Sequence, residues 1–255
     1  MSILRIERQG EAKDSSTGGG CETTSITVAG LQKTSLIDYP GKVSCVVFLT
    51  GCNFTCPYCH NPELARGQYP ERIDPDDLLA FLDQRRPLLD GVVISGGEPT
   101  LWAGLGDLCL KIRQFGLPIK LDTNGSRPEV IQALIRDGLV DYIAMDLKTA
   151  PENYGPPLCD ASHGPAVRRS IAVIKDGSAD YEFRTTCAPP FVTEKRLRAL
   201  AAAIQGARRL ILQQFNPQTT LDPNFQSTSQ PRLTMERLQS LRQLAAPFVK
   251  SCSIR

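Results

Sequence analysis

The stretch GCNFTCPYCHNP, residues 51–62, decides how the chain is interpreted, because three of the chain's nine cysteines fall within eight of its residues. Cys52, Cys56 and Cys59 are separated by three and then two residues, so one short loop can wrap their thiolates around a small inorganic group. An iron–sulfur cubane held by three thiolates keeps one iron free for a further ligand. The odd cysteine count and the scattered single cysteines elsewhere are typical of a reducing compartment.

Two other chemistries use similar spacings. A zinc site would add His60 as a fourth ligand, but His60 directly adjoins Cys59, which strains joint chelation. No second Cys/His pair stands at the distance found in zinc fingers or ribbons. A thiol–disulfide role needs only Cys56 and Cys59 and leaves Cys52 unexplained. A zinc-stabilised binding module without catalysis is therefore the rival from another functional class.

Composition excludes several classes of protein. Of 255 residues, 41% are hydrophobic and 22% charged, which is ordinary globular usage, and the formal net charge of +2 does not indicate nucleic acid or an anionic membrane as a partner. The longest apolar run, residues 43–50, is far too short to span a bilayer. Residues 1–24 lack periodicity and resemble a flexible tail rather than an export signal. We expect one cytoplasmic domain over residues 25–255.

Short β-rich runs alternate with helical patterns along the rest of the chain. One helix is predicted to begin at Pro75 after Asp74, and another at Pro128 after Ser126 or Arg127. Gly116 and Gly138 stand where two helices should end. This alternation predicts an α/β fold with parallel strands joined by right-handed crossovers, either as an open doubly wound sheet or as a full or partial barrel. The predicted strands are Val43–Leu49, Val92–Ser95, Ile119–Asp122, Tyr142–Asp146, Tyr181–Thr186, Leu210–Gln213 and Val249–Ile254.

Polar clusters follow directly after nearly every predicted strand. Because the carboxyl ends of parallel strands meet at one edge of a sheet, we expect these clusters to gather where α/β folds place their sites. Six converging polar strand ends are hard to explain by packing alone. The clusters are residues 50–52, 95–98, 122–125, 146–148, 184–186 and 213–216.

Several motifs together resemble one family. They are the Cys-x₃-Cys-x₂-Cys loop with Tyr58 before its last cysteine, the Gly96-Gly97-Glu98-Pro99 turn, and the segments LIDYPGK (36–42) and YCHNP (58–62). The first two are similar to those of the radical S-adenosylmethionine (SAM) superfamily. The segments resemble glycyl-radical-enzyme activases, particularly those that activate anaerobic ribonucleoside-triphosphate reductase, with the pyruvate formate-lyase activase as structural guide. The resemblance runs from about residue 26 to the last strand.

This resemblance implies a partial (β/α)₆ TIM-like barrel in which Cys52, Cys56 and Cys59 hold one [4Fe–4S] cluster. SAM would bind the open iron, and its one-electron cleavage would give a 5′-deoxyadenosyl radical. The implied activity is that of an oxidoreductase, because this radical removes a hydrogen atom from a glycine of the partner, anaerobic ribonucleotide reductase. An electron donor of flavodoxin or ferredoxin type is also implied.

The resemblance also assigns roles to the polar clusters. The Gly96-Gly97 turn would let the backbone approach the amino group of SAM closely. Glu98 would accept a hydrogen bond from that amine, or else it would be a cap at the protein surface. Lys148 would meet the SAM carboxylate as a point cation. Arg184 lies on an otherwise apolar strand and needs an acidic partner, either that carboxylate or a carboxylate of the protein.

The last assignments concern the ribose and a cation. Asp122, Thr123 and Asp146 would surround a monovalent cation, since oxygen ligands suit a hard ion. Asn216 stands where the formate-lyase activase carries a ribose-contacting histidine, and asparagine makes a similar bond without titrating. The complete cofactor-binding set is Tyr58, His60, Gly96, Gly97, Glu98, Asp122, Thr123, Asn124, Asp146, Lys148, Arg184 and Asn216.

A second reading keeps the radical SAM chemistry but changes the substrate. Such an enzyme would act on another glycyl radical enzyme or on a small molecule, as 7-carboxy-7-deazaguanine synthase does. No cysteine lies between Cys59 and Cys109, which argues against the two auxiliary clusters of some activases. A small-molecule enzyme needs a closed pocket, whereas an activase needs a mouth wide enough for a peptide loop.

Overall fold

The computed structural model describes residues 28–70, 72–159, 163–217, 220–228 and 232–255, and the predicted tail, residues 1–24, lies outside them. The described residues form one sheet of eight strands, hydrogen-bonded in the order β1 to β8. β1 is antiparallel to β2, and every later pair is parallel. The strands are β1 (Val28–Ser35), β2 (Ser44–Leu49), β3 (Gly91–Gly96), β4 (Ile119–Thr123), β5 (Tyr142–Asp146), β6 (Asp180–Cys187), β7 (Leu210–Gln214) and β8 (Cys252–Ile254).

Helices connect the parallel strands. Asp74 caps one of them by accepting a hydrogen bond from the Asp76 amide at 2.8 Å, and Pro75 follows at the first position, as predicted. Gly116 and Gly138 have φ of +73° and +62° just after two helices, which confirms them as terminators. The helices are α1 (Pro62–Arg66), α2 (Pro75–Arg85), α3 (Leu105–Arg113), α4 (Pro128–Arg136), α5 (Gly164–Asp176), α6 (Glu194–Ala203), α7 (Pro223–Thr228) and α8 (Met235–Ala245).

The predicted strands are found with small shifts at their ends, but β1 was not predicted. Its sequence VAGLQKTS has neither clean alternation nor a continuous apolar run, so only its pairing with β2 defines it. The last strand is shorter than predicted, because residues 249–250 bend after the 3₁₀ turn Ala246–Phe248 and the strand begins only at Cys252. No helix among the described residues has the length and apolar character needed to cross a membrane.

Both faces of the sheet are covered, which explains the nearly continuous apolar runs. The outer face, with residues such as Leu121, Ile143 and Phe183, packs against the helices in the main core. The inner face begins with a small apolar layer that includes Val46, Val93 and Tyr142 and becomes polar toward the carboxyl ends of the strands. With β1 and β8 as its two edges, the sheet is an open, partial (β/α)₆ barrel, as predicted.

Candidate functional site

A cavity of about 320 Å³ opens at the carboxyl ends of the strands, where the sequence placed the polar clusters. All predicted site residues line it except Glu98 and Asn216, and five further polar side chains join them. The predicted residues in the lining are Cys52, Cys56, Cys59, Tyr58, His60, Gly96, Gly97, Asp122, Thr123, Asn124, Asp146, Lys148 and Arg184, and the additional polar ones are Asn61, Ser95, Thr186, Gln213 and Gln214.

Backbone hydrogen bonds anchor the cysteine loop (residues 51–62) to two other segments and close a turn within it. The Gly51 amide donates to the Leu64 carbonyl at 2.7 Å, which ties the start of the loop to α1. The Thr55 amide donates to the Leu158 carbonyl at 2.7 Å, and the Cys59 amide to the Cys56 carbonyl at 3.0 Å. The fold therefore presents all three thiols to the cavity from one tightly anchored loop.

The thiols sit in a buried but polar setting. The Phe54 amide donates to the Cys52 sulfur at 3.4 Å, and the Asn124 side-chain amide donates to it at 3.8 Å. Burial raises the pKa of Cys52 to about 11 and that of Cys56 to about 12, although the charge of Lys148 lowers both. Coordination to a metal group would favour the thiolate forms of these cysteines. Three soft thiol donors around one cavity fit an iron–sulfur cluster.

His60 and Tyr58 make aromatic contacts beside the thiols. The His60 ring packs against Phe215 with centroids 6.0 Å apart. Tyr58 is buried against Phe191 and Phe225, and its hydroxyl lies 3.5 Å from the Lys148 carbonyl oxygen.

Among the residues that the structure describes, no three Cys, His, Asp or Glu side chains form a group that could hold a single metal ion.

The Gly96-Gly97 turn is required by the chain itself. Gly96 has φ of +123°, and a Cβ there would lie 2.0 Å from the Leu49 carbonyl oxygen. A Cβ on Gly97 would lie 2.0 Å from the Gly51 carbonyl oxygen. The two glycines therefore let β3 end directly against the start of the cysteine loop, a close approach that is separate from any contact with SAM.

Glu98 is fully buried and lies behind the cavity, so it is not the surface cap that the sequence allowed. Its carboxylate accepts hydrogen bonds from the Thr100 amide at 3.1 Å, the Thr123 hydroxyl at 2.7 Å and the Asn124 amide at 2.6 Å. Burial raises the pKa of the Glu98 carboxyl, and these donors oppose the rise. Glu98 therefore joins the turn after β3 to the turn after β4.

Arg184 is the centre of a network of alternating charges. Its Nε donates to Asp146 Oδ1 at 2.8 Å, and its Nη1 lies 3.4 Å from Asp122 Oδ1. Lys148 Nζ donates to Asp146 Oδ2 at 3.1 Å, and Lys120 Nζ forms an ion pair with Asp122 Oδ1. The acidic partner predicted for Arg184 is thus a pair of carboxylates. We call these five side chains the charge network.

The charge network keeps its acids ionised. Burial is the largest single effect on Asp122 and Asp146 and opposes their ionisation. The charges of Arg184 and of a lysine, Lys120 for Asp122 and Lys148 for Asp146, together with their hydrogen bonds, outweigh it and lower both carboxyl pKa values. Burial also disfavours the charged form of Lys148, but Asp146 and Cys56 raise its pKa. Three cations against two carboxylates leave one positive charge in excess beside the cavity, which favours an anionic ligand group.

Several lining residues were not predicted as site residues. Gln213 and Gln214 end β7 in the cavity, whereas Asn216 lies two residues farther along and is not part of the lining. Lys120 was missed because a lysine inside a strand is usually solvated. Its spacing of two residues from Asp122 on one strand was the signal that both share a face.

Comparisons with known proteins agree with this geometry. The radical SAM superfamily model matches residues 46–178, which include the cysteine loop and Lys148. A protein of Methanocaldococcus jannaschii, provisionally named a glycyl-radical enzyme activating enzyme, is 35% identical over 240 residues, 89% of this chain and 95% of its own length. The pyruvate formate-lyase-activating enzyme of Clostridium pasteurianum is 29% identical over 126 residues, 48% of this chain and 52% of its own.

The fold has a counterpart among solved structures. A radical SAM methyltransferase from Sphaerobacter thermophilus matches with a TM-score of 0.61 at 18% identity, over 87% of this chain and 68% of its own. At that identity the likeness concerns the fold alone. It confirms the partial barrel that the family resemblance implied.

Proposed function

Because this chain belongs to the radical SAM superfamily, we propose that it is a glycyl-radical-enzyme activase whose target is anaerobic ribonucleoside-triphosphate reductase. The observation that carries the proposal is that three thiols of one loop line the same cavity as four of the five side chains of the charge network, Asp122, Asp146, Lys148 and Arg184. The name of the Methanocaldococcus jannaschii relative supports activation of a glycyl radical enzyme as the reaction.

Cys52, Cys56 and Cys59 would hold one [4Fe–4S] cluster, and the charge network would bind the carboxylate of SAM. When bound, the cluster and SAM supply one-electron cleavage of the sulfonium and a 5′-deoxyadenosyl radical that abstracts hydrogen from a glycine. The chain's own task is then to bind, orient and shield.

Lys148 and Arg184 are the groups that would orient SAM. Lys148 shares Asp146 with Arg184, so one carboxylate fixes the positions of two cations at the cavity wall. A ligand carboxylate meeting these cations makes charge-assisted hydrogen bonds without reorganising them. Asn124 already donates to the Cys52 sulfur and thus holds the turn after β4 against the cysteine loop.

An aromatic wall shields one side of the cavity. Tyr58, Phe191, Phe215 and Phe225 pack with ring centroids 5.3 to 6.5 Å apart. The Asp222 amide donates to the Pro57 carbonyl at 3.0 Å, so the segment after β7 crosses the cysteine loop. Exclusion of water on this side would protect a reactive radical from solvent.

The remaining assignments are proposals of the same kind. The electron would come from a flavodoxin- or ferredoxin-type donor in the cytoplasm. The monovalent cation predicted at Asp122, Thr123 and Asp146 stays a prediction. Both of its carboxylates already pair with Lys120, Lys148 and Arg184.

An anaerobic EPR experiment tests the function. Reconstituted, reduced protein is incubated with SAM and the host's anaerobic ribonucleotide reductase, and a glycyl-type doublet that requires SAM is expected. A variant reductase with its radical glycine replaced by alanine is the matched control and should give no doublet. If the doublet is missing while SAM changes the reduced-cluster signal, the target is wrong. Other glycyl radical enzymes and small molecules would then be tested.

A further inference from the structure

We propose that Lys120 is a positioning residue that supplies, from inside the barrel, the positive charge needed for SAM binding, so that the site requires no added monovalent cation. The inference rests on the proposed function only in taking SAM as the ligand of the cavity. It concerns Lys120, a buried charged group that the sequence motifs do not include and that has no separate role in the mechanism above.

Lys120 lies in an apolar layer of the barrel interior. It stands in register with Val93 on β3 and Tyr142 on β5, and both belong to the small apolar cluster inside the barrel. Its side chain is 1% exposed. An ammonium group in such a layer carries a large desolvation cost, and burial lowers the pKa of Lys120. The charge of Asp122 and its hydrogen bond oppose that shift and favour the charged form.

The counter-charge, Asp122, lies one layer nearer the cavity. Lys120 Nζ pairs with Asp122 Oδ1, the same oxygen that Arg184 Nη1 approaches at 3.4 Å. The second oxygen, Oδ2, accepts from the Ser95 hydroxyl at 3.0 Å. A buried ion pair of this kind is weak evidence for stability, since apolar residues of similar volume often serve as well. A contribution to the net charge of the site explains the Lys120–Asp122 pair better than a contribution to stability does.

The consequence for the cavity follows from counting charges. Lys120 neutralises Asp122 from the interior of the barrel. The two cations Arg184 and Lys148 then share the single carboxylate of Asp146, which leaves one positive charge in excess at the cavity. Without Lys120, Arg184 has to neutralise Asp122 as well, and the excess disappears. The nearby Glu182 also acts on Lys120 and Arg184, but it has a cation of its own, because Arg255 lies 3.9 Å from its Oε1; the Tyr142 hydroxyl donates to Oε2 at 3.0 Å.

The test measures the SAM dissociation constant of the anaerobically reconstituted holoenzyme in two buffers. One contains tetramethylammonium as its only monovalent cation, and the other contains potassium. We expect the wild-type constant to agree within about twofold between the buffers. Lys120→Met is expected to bind SAM roughly tenfold or more weakly in tetramethylammonium, the size of one lost charge-assisted interaction. Potassium should restore part of that loss by entering beside Asp122.

Lys111→Met, an exposed change on α3, is the matched control and should bind SAM like the wild type in both buffers. Lys120→Arg, which keeps the charge, should retain more affinity than Lys120→Met. Iron content and melting temperature of each variant show whether it is folded and loaded.

Two results would overturn the inference. One is a wild-type protein that binds SAM much more tightly in potassium, because a metal cation would then supply the charge. The wild-type measurement decides this even where a variant does not fold. The other is a loaded Lys120→Met protein with an unchanged dissociation constant in tetramethylammonium. A wild-type holoenzyme that does not bind SAM in either buffer would instead refute the proposed function.

Discussion

Replacing Arg184 by methionine tests whether the charge network holds the carboxyl ends of the strands together. Arg184 on β6 bridges Asp146 on β5 and Asp122 on β4, at 2.8 and 3.4 Å, and its side chain is only 10% exposed. Removing one partner of a buried ion pair typically costs about 3–5 kcal/mol. Each carboxylate keeps one lysine in this case, so we expect the lower end, about 3 kcal/mol. For a chain of this length, that loss lowers the melting temperature by roughly 6–12 °C.

The pH dependence provides a second, independent readout. The folded-state pKa values of Asp122 and Asp146 are lowered, with Arg184 as the largest favourable cause after the opposing effect of burial. Carboxyls with lowered folded pKa values contribute stability that is present above the unfolded value of about 3.9 and is lost as the pH falls below it. The difference in the free energy of unfolding between wild type and Arg184→Met should therefore have its full size near neutral pH and become smaller below about pH 4.

The assay is urea unfolding of the cluster-free, thiol-reduced protein, so that acid loss of a cluster does not contribute. Arg208→Met is the control, because Arg208 pairs with Asp180 at 3.0 Å but is 47% exposed. An exposed pair of this kind contributes at most about 1 kcal/mol. A loss for Arg184→Met no larger than that of Arg208→Met, or a difference that stays constant down to pH 3, would refute the reasoning.

Three further changes have defined outcomes. Cys56→Ala should abolish the binding of iron and acid-labile sulfide and the cleavage of SAM. Cys109→Ala, a change in the buried core, should retain both activities. If the Cys56→Ala protein still cleaves SAM, Cys56 is not a cluster ligand. Gly97→Ala places a Cβ 2.0 Å from the Gly51 carbonyl oxygen and should lower the free energy of unfolding by about 1–3 kcal/mol. Gly106→Ala, whose Cβ would lie 3.9 Å from the nearest atom, should leave the free energy of unfolding unchanged. Equal melting temperatures for Gly97→Ala and Gly106→Ala would contradict the steric argument. Lys148→Ala should weaken SAM binding by about 1.5–3 kcal/mol, roughly 10- to 150-fold in the dissociation constant, with the iron content unchanged. Equal SAM affinity measured by equilibrium dialysis would exclude Lys148 from the site.

The secondary structure was predictable where local signals were strong. β3 and β5 are short apolar runs that end in polar residues, and the pattern identified both within a residue or two of their ends. β1 was not predictable in this way, because its residues become a strand only through pairing with β2. A strand defined by its neighbour leaves little periodicity in its own sequence.

Glu98 shows why the site was only partly predictable. Its place in a Gly-Gly-Glu turn marked it as functional, and its donors are both local and distant. Thr100 lies two residues away, but Thr123 and Asn124 lie on the next strand and turn. Whether a carboxylate faces a ligand or is enclosed by amides and hydroxyls depends on how two turns pack against each other. The spacing of residues along the sequence does not specify this packing.

The amino-acid sequence by itself determined the donor set and the edge of the sheet where it lies. The spacing of Cys52, Cys56 and Cys59 is a local property of one loop, and parallel strands bring their polar ends to a common edge whatever their exact register. Only the tertiary structure decided which charges pair. Lys120, Asp122 and Arg184 meet because the registers of β4, β5 and β6 bring residues 64 positions apart in the sequence to one oxygen of Asp122. Electrostatic energy depends on distances of a few ångströms, and these are set by strand register and barrel curvature rather than by residue type.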